Sequence, residues 1–257
     1  MSDRDHSVPP KAAAAAARSR GRQDSDEGYV LHSYPFRETS LVIETFTRHN
    51  GRVALVARGA RRPRSALRGT LRAFQPLTLA WGGKGELRTL YKAEWQGGMV
   101  PLSGSPLICG FYLNELLLRL LARDDPHEQL FAAYGATLAT LAAGADQAAT
   151  LRRFEKELLA QLGYALILDR DAASGEPLQP DARYHYVMER GPVRVADGDA
   201  AADPELSGQT LIDVDAGDYH DPVTAAQSKL LMRSVLNHYL GDKPLHTRQL
   251  LKDLQKI

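Results

Sequence analysis

The chain is poor in cysteine, and this scarcity narrows the classes of protein to which it can belong. Cys109 is the single cysteine among 257 residues, which excludes an internal disulfide framework and any zinc site built from several thiolates. One thiol suits a reducing compartment. We interpret Cys109 as a small, buried apolar side chain.

Long apolar runs are also missing. No run of roughly 18 or more apolar residues occurs, so no segment is predicted to span a membrane. The first residues, with six alanines from Ala12 to Ala17, resemble neither the apolar region nor the cleavage site of a signal peptide. We therefore predict a disordered tail over residues 1–26 and a cytoplasmic protein.

Acidic residues are absent from one long stretch of the chain, although the net charge is only +1. Residues 51–85 contain seven arginines and Lys84 but no aspartate or glutamate, whereas residues 166–221 contain thirteen acidic residues and four arginines. Such segregation costs self-repulsion within each region. It is typical of a protein with one face that meets a polyanion.

The first half of the chain has the composition of five short strands. β-Branched and aromatic residues dominate, Asn50-Gly51 is a strong hairpin signal, and Gly82-Gly83-Lys84-Gly85 supplies a tight turn. The strands are predicted at residues 28–34, 39–47, 52–58, 69–81 and 86–95. Five strands with a long connection after the third favour a Greek-key barrel of the OB type.

From residue 103 onward the apolar residues repeat with a helical period. Three helices with short links imply a bundle, and two further helices near the C-terminus are expected to complete it. Predicted starts are Ser105-Pro106, Asp125-Pro126, Asp146, Asp221-Pro222 and Thr247, and predicted ends are Gly163 and Gly241. Between the two groups of helices the period is lost, and loops with a small hairpin are expected.

The predicted fold is therefore α+β and multidomain. An OB-fold domain covers residues 27–100, and a helical domain is divided into a first part at 101–165 and C-terminal helices at 221–257. The acidic, loop-rich segment 166–220 is inserted between these two parts.

The stretch from Val56 to Leu71, VARGARRPRSALRGTL, carries the most chemical information. Guanidinium groups present forked donors that match phosphate oxygens. Each phosphate that is neutralised releases counterions, so several arginines together favour sequence-independent binding of nucleic acid. The alternative is a solvated loop whose charges only keep the protein in solution.

Aromatic side chains of the barrel are candidates for stacking on the bases of a single strand. Packing in the core is the alternative interpretation for each of them. The candidates are Tyr34, Phe36, Phe46, Phe74, Trp81, Tyr91 and Trp95.

Arg152 and Arg153 are adjacent in a predicted helix, where successive side chains point about 100° apart. One of them could border an apolar groove and receive a carboxylate from a partner. Pairing within the helix, with Glu155 or Glu157, explains the same pattern. The sequence leaves both interpretations open.

Catalytic patterns are weak. Five aspartates could be imagined as the metal-binding cluster of a nuclease, namely Asp169, Asp171, Asp213, Asp215 and Asp218. The stretch that starts at Asp169 departs from a calcium loop, because Ser174 and Pro180 stand where the pattern requires glycine and glutamate. A P-loop, a nucleophile elbow and a zinc-protease motif are also missing. We predict a protein that is not an enzyme and that needs no cofactor.

Six runs of the sequence resemble the RecO family of bacterial DNA repair proteins. They follow one another in the family's order and are spread over most of the chain after residue 27. The runs are VLHSYPFRETSLVIETFT (30–47), GRVALVARGARRPRS (51–65), GKGELRTL (83–90), FYLNELLLRLLARDDPH (111–127), LRRFEKELLAQLGY (151–164) and YLGDKPLHTRQLL (239–251).

The resemblance implies an N-terminal OB fold, a helical domain and a recombination mediator. Such a mediator binds single- and double-stranded DNA, anneals complementary strands and, with RecR, helps to load RecA on strands coated by single-stranded-DNA-binding protein. It implies that Arg58, Arg61, Arg62, Arg64 and Arg68 face DNA, and that Arg152 receives the acidic C-terminal tail of the coating protein. To these predicted sites we add Arg52, Lys84 and Arg88 for DNA and Arg153 for the tail.

One departure from the family concerns zinc. Many members carry a four-cysteine site whose first pair falls where this chain has Asp171 and Ser174, and the later pair is absent here. We therefore predict that no zinc holds residues 166–220 together. Two other functions remain as alternatives, an RNA-binding OB-fold protein and a metal-dependent nuclease.

Overall fold

The structure is a computed structural model, and it describes residues 25–196, 204–241 and 244–248. The tail predicted for the first 26 residues falls almost wholly outside the described residues. Most of the last short helix also falls outside them, although residues 246–248 form a helical turn. In the described part of the chain, no helix is long and apolar enough to cross a membrane.

Five strands close into a barrel, which confirms the predicted OB-type fold. The strands are β1 (Asp26–Phe36), β2 (Ser40–Thr47), β3 (Gly51–Ala57), β4 (Leu77–Gly82) and β5 (Leu87–Trp95). Around the barrel they run in the order β1-β2-β3-β5-β4, and β1 pairs with β4 to complete the circle. All pairs are antiparallel except β3 and β5. This single parallel pair follows from the long connection between β3 and β4.

The predicted hairpin at Asn50-Gly51 is present between β2 and β3. Gly51 has φ +64°, a backbone conformation that is unfavourable for residues with a Cβ. The carboxylate of Asp26 stabilises this turn, because it accepts hydrogen bonds from the His49 backbone N–H (3.2 Å) and the Asn50 side-chain amide (2.6 Å). The turn is thereby tied to the first residue of β1.

The fourth strand is shorter than the sequence suggested. It begins at Leu77 rather than residue 69, and the residues before it form a short helix, α1 (Leu67–Thr70), and an irregular segment. Phe74 in that segment has φ +66°, which is incompatible with a continuing strand. Leu71 and Phe74 are nevertheless buried, so their apolar character reflects packing and not strand pairing.

The helices match most of the predicted starts and ends. They are α2 (Gly104–Leu120), α3 (Glu128–Ala142), α4 (Gln147–Gln161), α5 (Gly208–Ala216) and α6 (Pro222–Leu240). Asp146 caps α4 by accepting a hydrogen bond from the backbone of Ala149, and Asp221 caps α6 in the same way. α3 starts later than expected, because Asp125 and Pro126 precede it and His127 occupies its N-cap.

The acidic segment is more ordered than the sequence suggested. It contains a three-stranded antiparallel sheet, β6 (Arg183–Val187), β7 (Gly191–Arg194) and β8 (Glu205–Ser207), in the order β7-β6-β8. It also contains α5, a helix that was not predicted. Buried Leu211 and Val214 give this helix its packing face, and Gly217 ends it with φ +72°.

Local hydrogen bonds stabilise the start of this segment. Asp171 accepts hydrogen bonds from the backbone of Ala173 (3.0 Å) and the hydroxyl of Ser174 (2.8 Å). The Asp171 carboxylate is partly desolvated, but these donors lower its pKa below the ordinary value. A closed turn therefore forms around Asp171 and Ser174.

Barrel and helices share one apolar core. The rings of Tyr29 and Phe46 from the barrel lie 5.4 and 5.5 Å from that of Phe131 on α3, and both also approach Tyr134. The amide of buried Asn114 on α2 donates to the backbone oxygen of Leu31 in β1 (2.8 Å). The two domains are thus packed tightly, and Cys109 is buried among the same side chains, as interpreted above.

Gly51 provides a test of this junction. A Cβ at Gly51 would lie 2.0 Å from the backbone oxygen of Asp125, whereas a Cβ at Gly144, which also has positive φ, would meet nothing within 4 Å. Both replacements by alanine cost about 1–2 kcal/mol of backbone strain. We expect Gly51→Ala to lower the free energy of unfolding by clearly more than Gly144→Ala in urea titrations. Equal losses would show that the Asp125 contact does not constrain the junction.

Candidate nucleic-acid interface

The arginine-rich segment between β3 and β4 is anchored at both ends. Ala60 and Leu71 are buried in the barrel core, and Leu67 packs against the same cluster. Between them the backbone forms successive turns, and the N–H of Arg61 donates to the oxygen of Thr39 at 2.9 Å. The segment therefore holds its side chains on a fixed backbone.

The guanidinium groups of this segment point into solvent. Arg58, Arg61, Arg62, Arg64, Arg68 and Arg72 are all exposed. Among contacts between described residues, only Arg61 of this group makes side-chain hydrogen bonds, to the backbone oxygens of Arg37 (3.5 Å) and Glu38 (3.3 Å). Within the described part of the chain none of the six forms an ion pair with a carboxylate. Lys84 is also exposed, in the turn between β4 and β5.

Several carboxylates of the acidic segment pair with cations outside the arginine-rich segment. Asp215 pairs with Lys156 of α4, Glu205 pairs with Arg183, and Asp169 pairs with Arg170. Over the described residues, therefore, the acidic segment does not cover the arginine-rich segment. The cationic surface stays open to a polyanion.

Arg52 and Arg88 differ from the other predicted DNA contacts because each is engaged within the protein. Arg52 donates to the backbone oxygen of Leu118 at 2.9 Å and lies 3.8 Å from the buried carboxylate of Glu44. Burial lowers the pKa of Arg52, although Glu44 opposes the effect. Arg88 forms an ion pair with Asp124 at 2.8 Å. Arg52 joins the barrel to α2, and Arg88 joins it to the segment after α2.

Sequence reasoning missed the partners in this junction. Glu44 is buried in β2 and also pairs with Arg123, which reaches it from the segment after α2. A lone glutamate inside an apolar strand was the available signal, since a buried carboxylate requires a partner. Nothing in the sequence pattern identified Arg123 as that partner.

Arg152 and Arg153 point in different directions. The side chain of Arg152 is mostly buried and pairs with Glu155 at 2.5 Å, so the expected pairing within the helix is present. Arg153 is exposed and donates to the backbone oxygen of Gly217 at 3.1 Å. Its guanidinium lies 5.5 Å from the centre of the Tyr219 ring.

The surroundings of Glu155 are polar but incompletely satisfied. Burial raises the pKa of Glu155, while Arg152 and the hydroxyl of Tyr112, which donates to it at 2.6 Å, oppose the rise. Burial also raises the pKa of Tyr219 to about 12. Among the described atoms, Arg152 Nε, Glu155 Oε2 and Tyr219 Oη have no hydrogen-bond partner. Two hydrogen-bond donors without a partner, Arg152 Nε and Tyr219 Oη, therefore belong to residues next to or in contact with Arg153.

The structure separates the candidate stacking aromatics into two groups. Phe46, Phe74 and Trp81 are buried, and Phe36 is half-buried under the guanidinium of Arg37. Tyr34, Tyr91 and Trp95 are exposed. Only the exposed group can receive a base.

The acidic residues considered for a nuclease are scattered among separate partners. Asp213 accepts hydrogen bonds from Thr224 and Gln209, and Asp218 pairs with His220. Across residues 25–196, 204–241 and 244–248, no three acidic, histidine or cysteine side chains come together in an arrangement for a metal ion. The geometry does not favour the nuclease alternative.

The fold defines a class of protein in which an OB-type barrel precedes a helical bundle with an inserted small sheet. Two family models match this arrangement: "Recombination protein O N terminal" covers residues 22–99, and "Recombination protein O C terminal" covers residues 103–249.

Full-length relatives agree with these models. The chain is 59% identical to the DNA repair protein RecO of Nitrosospira multiformis over 92% of this chain and 98% of the relative. It is 55% identical to that of Dechloromonas aromatica (93% and 99%) and 53% identical to that of Ralstonia nicotianae (96% and 91%). The chain belongs to the RecO family, and its role lies in DNA repair and recombination.

Arg152 offers a second test of stability. Arg152→Ala leaves the carboxylate of Glu155 buried without its cation, which typically costs about 3–5 kcal/mol. Arg153→Ala is the matched control, and we expect it to change the free energy of unfolding by less than about 1 kcal/mol, as measured by urea titration.

The stability lost on Arg152→Ala should depend on pH in a defined direction. A carboxyl whose folded pKa is raised destabilises the fold as the pH rises above the ordinary value of 4.5. The loss caused by Arg152→Ala should therefore shrink as the pH falls toward that value. A deficit independent of pH would contradict this assignment.

Proposed function

We propose that this chain is a non-catalytic recombination mediator that binds single- and double-stranded DNA through its arginine-rich segment. The observation that carries the proposal is the row of exposed guanidinium groups at Arg58, Arg61, Arg62, Arg64 and Arg68. They are held on an anchored backbone, and among the described residues none of them is paired with a carboxylate. Lys84 extends this surface. Arg52 and Arg88 support it indirectly, because they hold the barrel against the helices.

The proposed mechanism is electrostatic. Guanidinium groups pair with phosphate oxygens and release condensed counterions, which supplies affinity without dependence on sequence. Neutralised strands repel each other less, so two complementary strands can approach and base pairing selects the correct partner. No covalent bond is made or broken, and the proposal requires neither a metal nor a cofactor.

Two protein partners belong to the proposal. The chain would cooperate with RecR and help to load RecA on strands coated by single-stranded-DNA-binding protein, whose acidic C-terminal tail it would hold at Arg152 and Arg153. Arg153 is exposed, and the unpartnered Nε of Arg152 lies on the adjacent residue. Arginine beside an apolar helix face is suited to a terminal carboxylate with a neighbouring aromatic side chain.

The DNA interface can be tested by changing Arg61, Arg62 and Arg64 together to alanine. We expect weaker binding of every DNA sequence, and a salt dependence of log K that flattens by about 0.9 for each lost phosphate contact to duplex. The measurement is fluorescence anisotropy of labelled DNA across a salt series. An unchanged slope would place the interface elsewhere.

A matched control for that variant comes from the acidic segment. Arg170, Arg183 and Arg190 are exposed there, and changing all three to alanine removes the same charge from a different surface. This control should leave the salt slope unaltered. If both triple variants lose the same affinity, net charge and not the arginine-rich segment governs binding.

The tail site is tested best at Arg153, because Arg152→Ala also disturbs the core. Arg153→Ala should weaken the binding of an acidic peptide with a free C-terminal carboxylate by roughly tenfold, the effect of losing one charge-assisted hydrogen bond. Binding of bare DNA should be unchanged. The peptide assay is anisotropy, and annealing of strands precoated with their binding protein should be slowed in parallel. Unaltered peptide affinity would remove Arg153 from the site.

A further inference from the structure

An open groove lies between the arginine-rich segment and the first turn of α2. Its volume is about 540 Å³, within the range of about 300–1,000 Å³ typical of small-ligand pockets. The lining consists mainly of apolar side chains, including Trp95, Phe74, Leu102 and Leu107, with Arg72 among them. No carboxylate is found among these described lining residues.

The floor of the groove is built by close packing. Phe74 is buried although its φ of +66° is unfavourable for a residue with a side chain. Its ring meets Phe111 edge-on at 5.0 Å. A Cβ at Gly110 would lie 2.9 Å from the Phe74 ring, so glycine at that position lets the ring seat against α2. The floor is thus formed before any ligand arrives.

Trp95 forms a wall of the groove, and it is 60% exposed although it is one of the largest apolar side chains in the chain. Its indole N–H donates to the side-chain oxygen of Gln75 at 3.0 Å, which orients the ring. The other tryptophan, Trp81, is 1% exposed and belongs to the barrel core. Trp95 is therefore the tryptophan available for stacking.

From these features we infer that the groove receives an unstacked base of single-stranded DNA against Trp95 while Arg72 and Arg68 hold the adjoining phosphates. The inference deepens the proposed function and rests on it. Complementary charge favours this occupant, because exposed Arg72 lines the apolar groove and exposed Arg68 directly precedes the lining residue Gly69. Indole faces stack on any base, so the site is indifferent to sequence. A base inside a duplex cannot enter, which makes the groove selective for single strands.

The affinity test uses the full chain with three probes: an oligo-dT, an oligomer of equal length made of abasic sugars, and a duplex. Trp95→Ala should weaken binding of oligo-dT by roughly 5- to 150-fold, the range given by losing one base stack. Binding of the duplex and of the abasic strand should stay within about twofold of the unaltered chain, because their phosphate contacts remain. Tyr164→Ala changes an exposed aromatic that follows α4 and lies outside the groove. It is the matched control and should change none of the three.

Two further readouts keep the inference falsifiable. Oligo-dT, but not the abasic strand, should quench the emission of Trp95, and Trp95→Phe should abolish this quenching while it retains most of the affinity. An unchanged affinity of Trp95→Ala for oligo-dT, or an equal loss for duplex, would overturn the inference and leave the proposed function standing. A wild-type chain that binds neither oligo-dT nor duplex would overturn both. Quenching by an acidic peptide but not by oligo-dT would assign the groove to a peptide and overturn the inference alone.

Discussion

The buried carboxylate of Glu44 constrains how the two halves of this protein fit together. It lies in β2, inside a barrel wall, and it meets guanidinium groups from β3 (Arg52) and from the segment after α2 (Arg123). An unpaired charge at such a position is costly, so barrel and helices are favoured in the arrangement that delivers Arg123. The same docking brings Gly51 against Asp125 and the barrel rings against α3. This docking gives the arginine-rich segment a rigid support.

Two populations of arginine with different physical roles result from this arrangement. Arg52, Arg88 and Arg152 each face a carboxylate of the protein, and two of those carboxylates are buried. The arginines between β3 and β4 have no such partner within the described residues. A chain with a net charge of only +1 can thus present a concentrated cationic surface, because residues 51–85 contain no acidic residue and the described acidic residues that form ion pairs do so with other cations.

Much of the fold could be predicted because its signals are local. A turn or a cap marks a strand or helix that begins or ends within a few residues of it. Examples are the Asn50-Gly51 turn and the helix caps Asp146 and Asp221. The alternation of apolar and polar residues in strands is equally local. The prediction that the fourth strand begins at residue 69 was wrong. Apolar residues that pack without forming a strand have the same sequence pattern as a strand. For the site, the exposed arginines could be predicted from charge, whereas the Glu44–Arg123 and Arg52–Leu118 contacts join residues more than sixty positions apart. Pairing over such a separation is decided by tertiary packing, for which a single sequence carries no pattern.

Under the proposed function, the cationic surface has to be both rigid and open, because it would bring two strands together. Ala60 and Leu71 fix the ends of the arginine-rich segment in the barrel core, so the spacing of its charges does not relax around one bound strand. Contacts made to phosphates leave the base edges of that strand free for pairing. A groove that holds a single base at Trp95 would delay pairing at that base alone and keep the strand in register with the arginines. The cationic segment and the adjacent groove are therefore compatible parts of one surface.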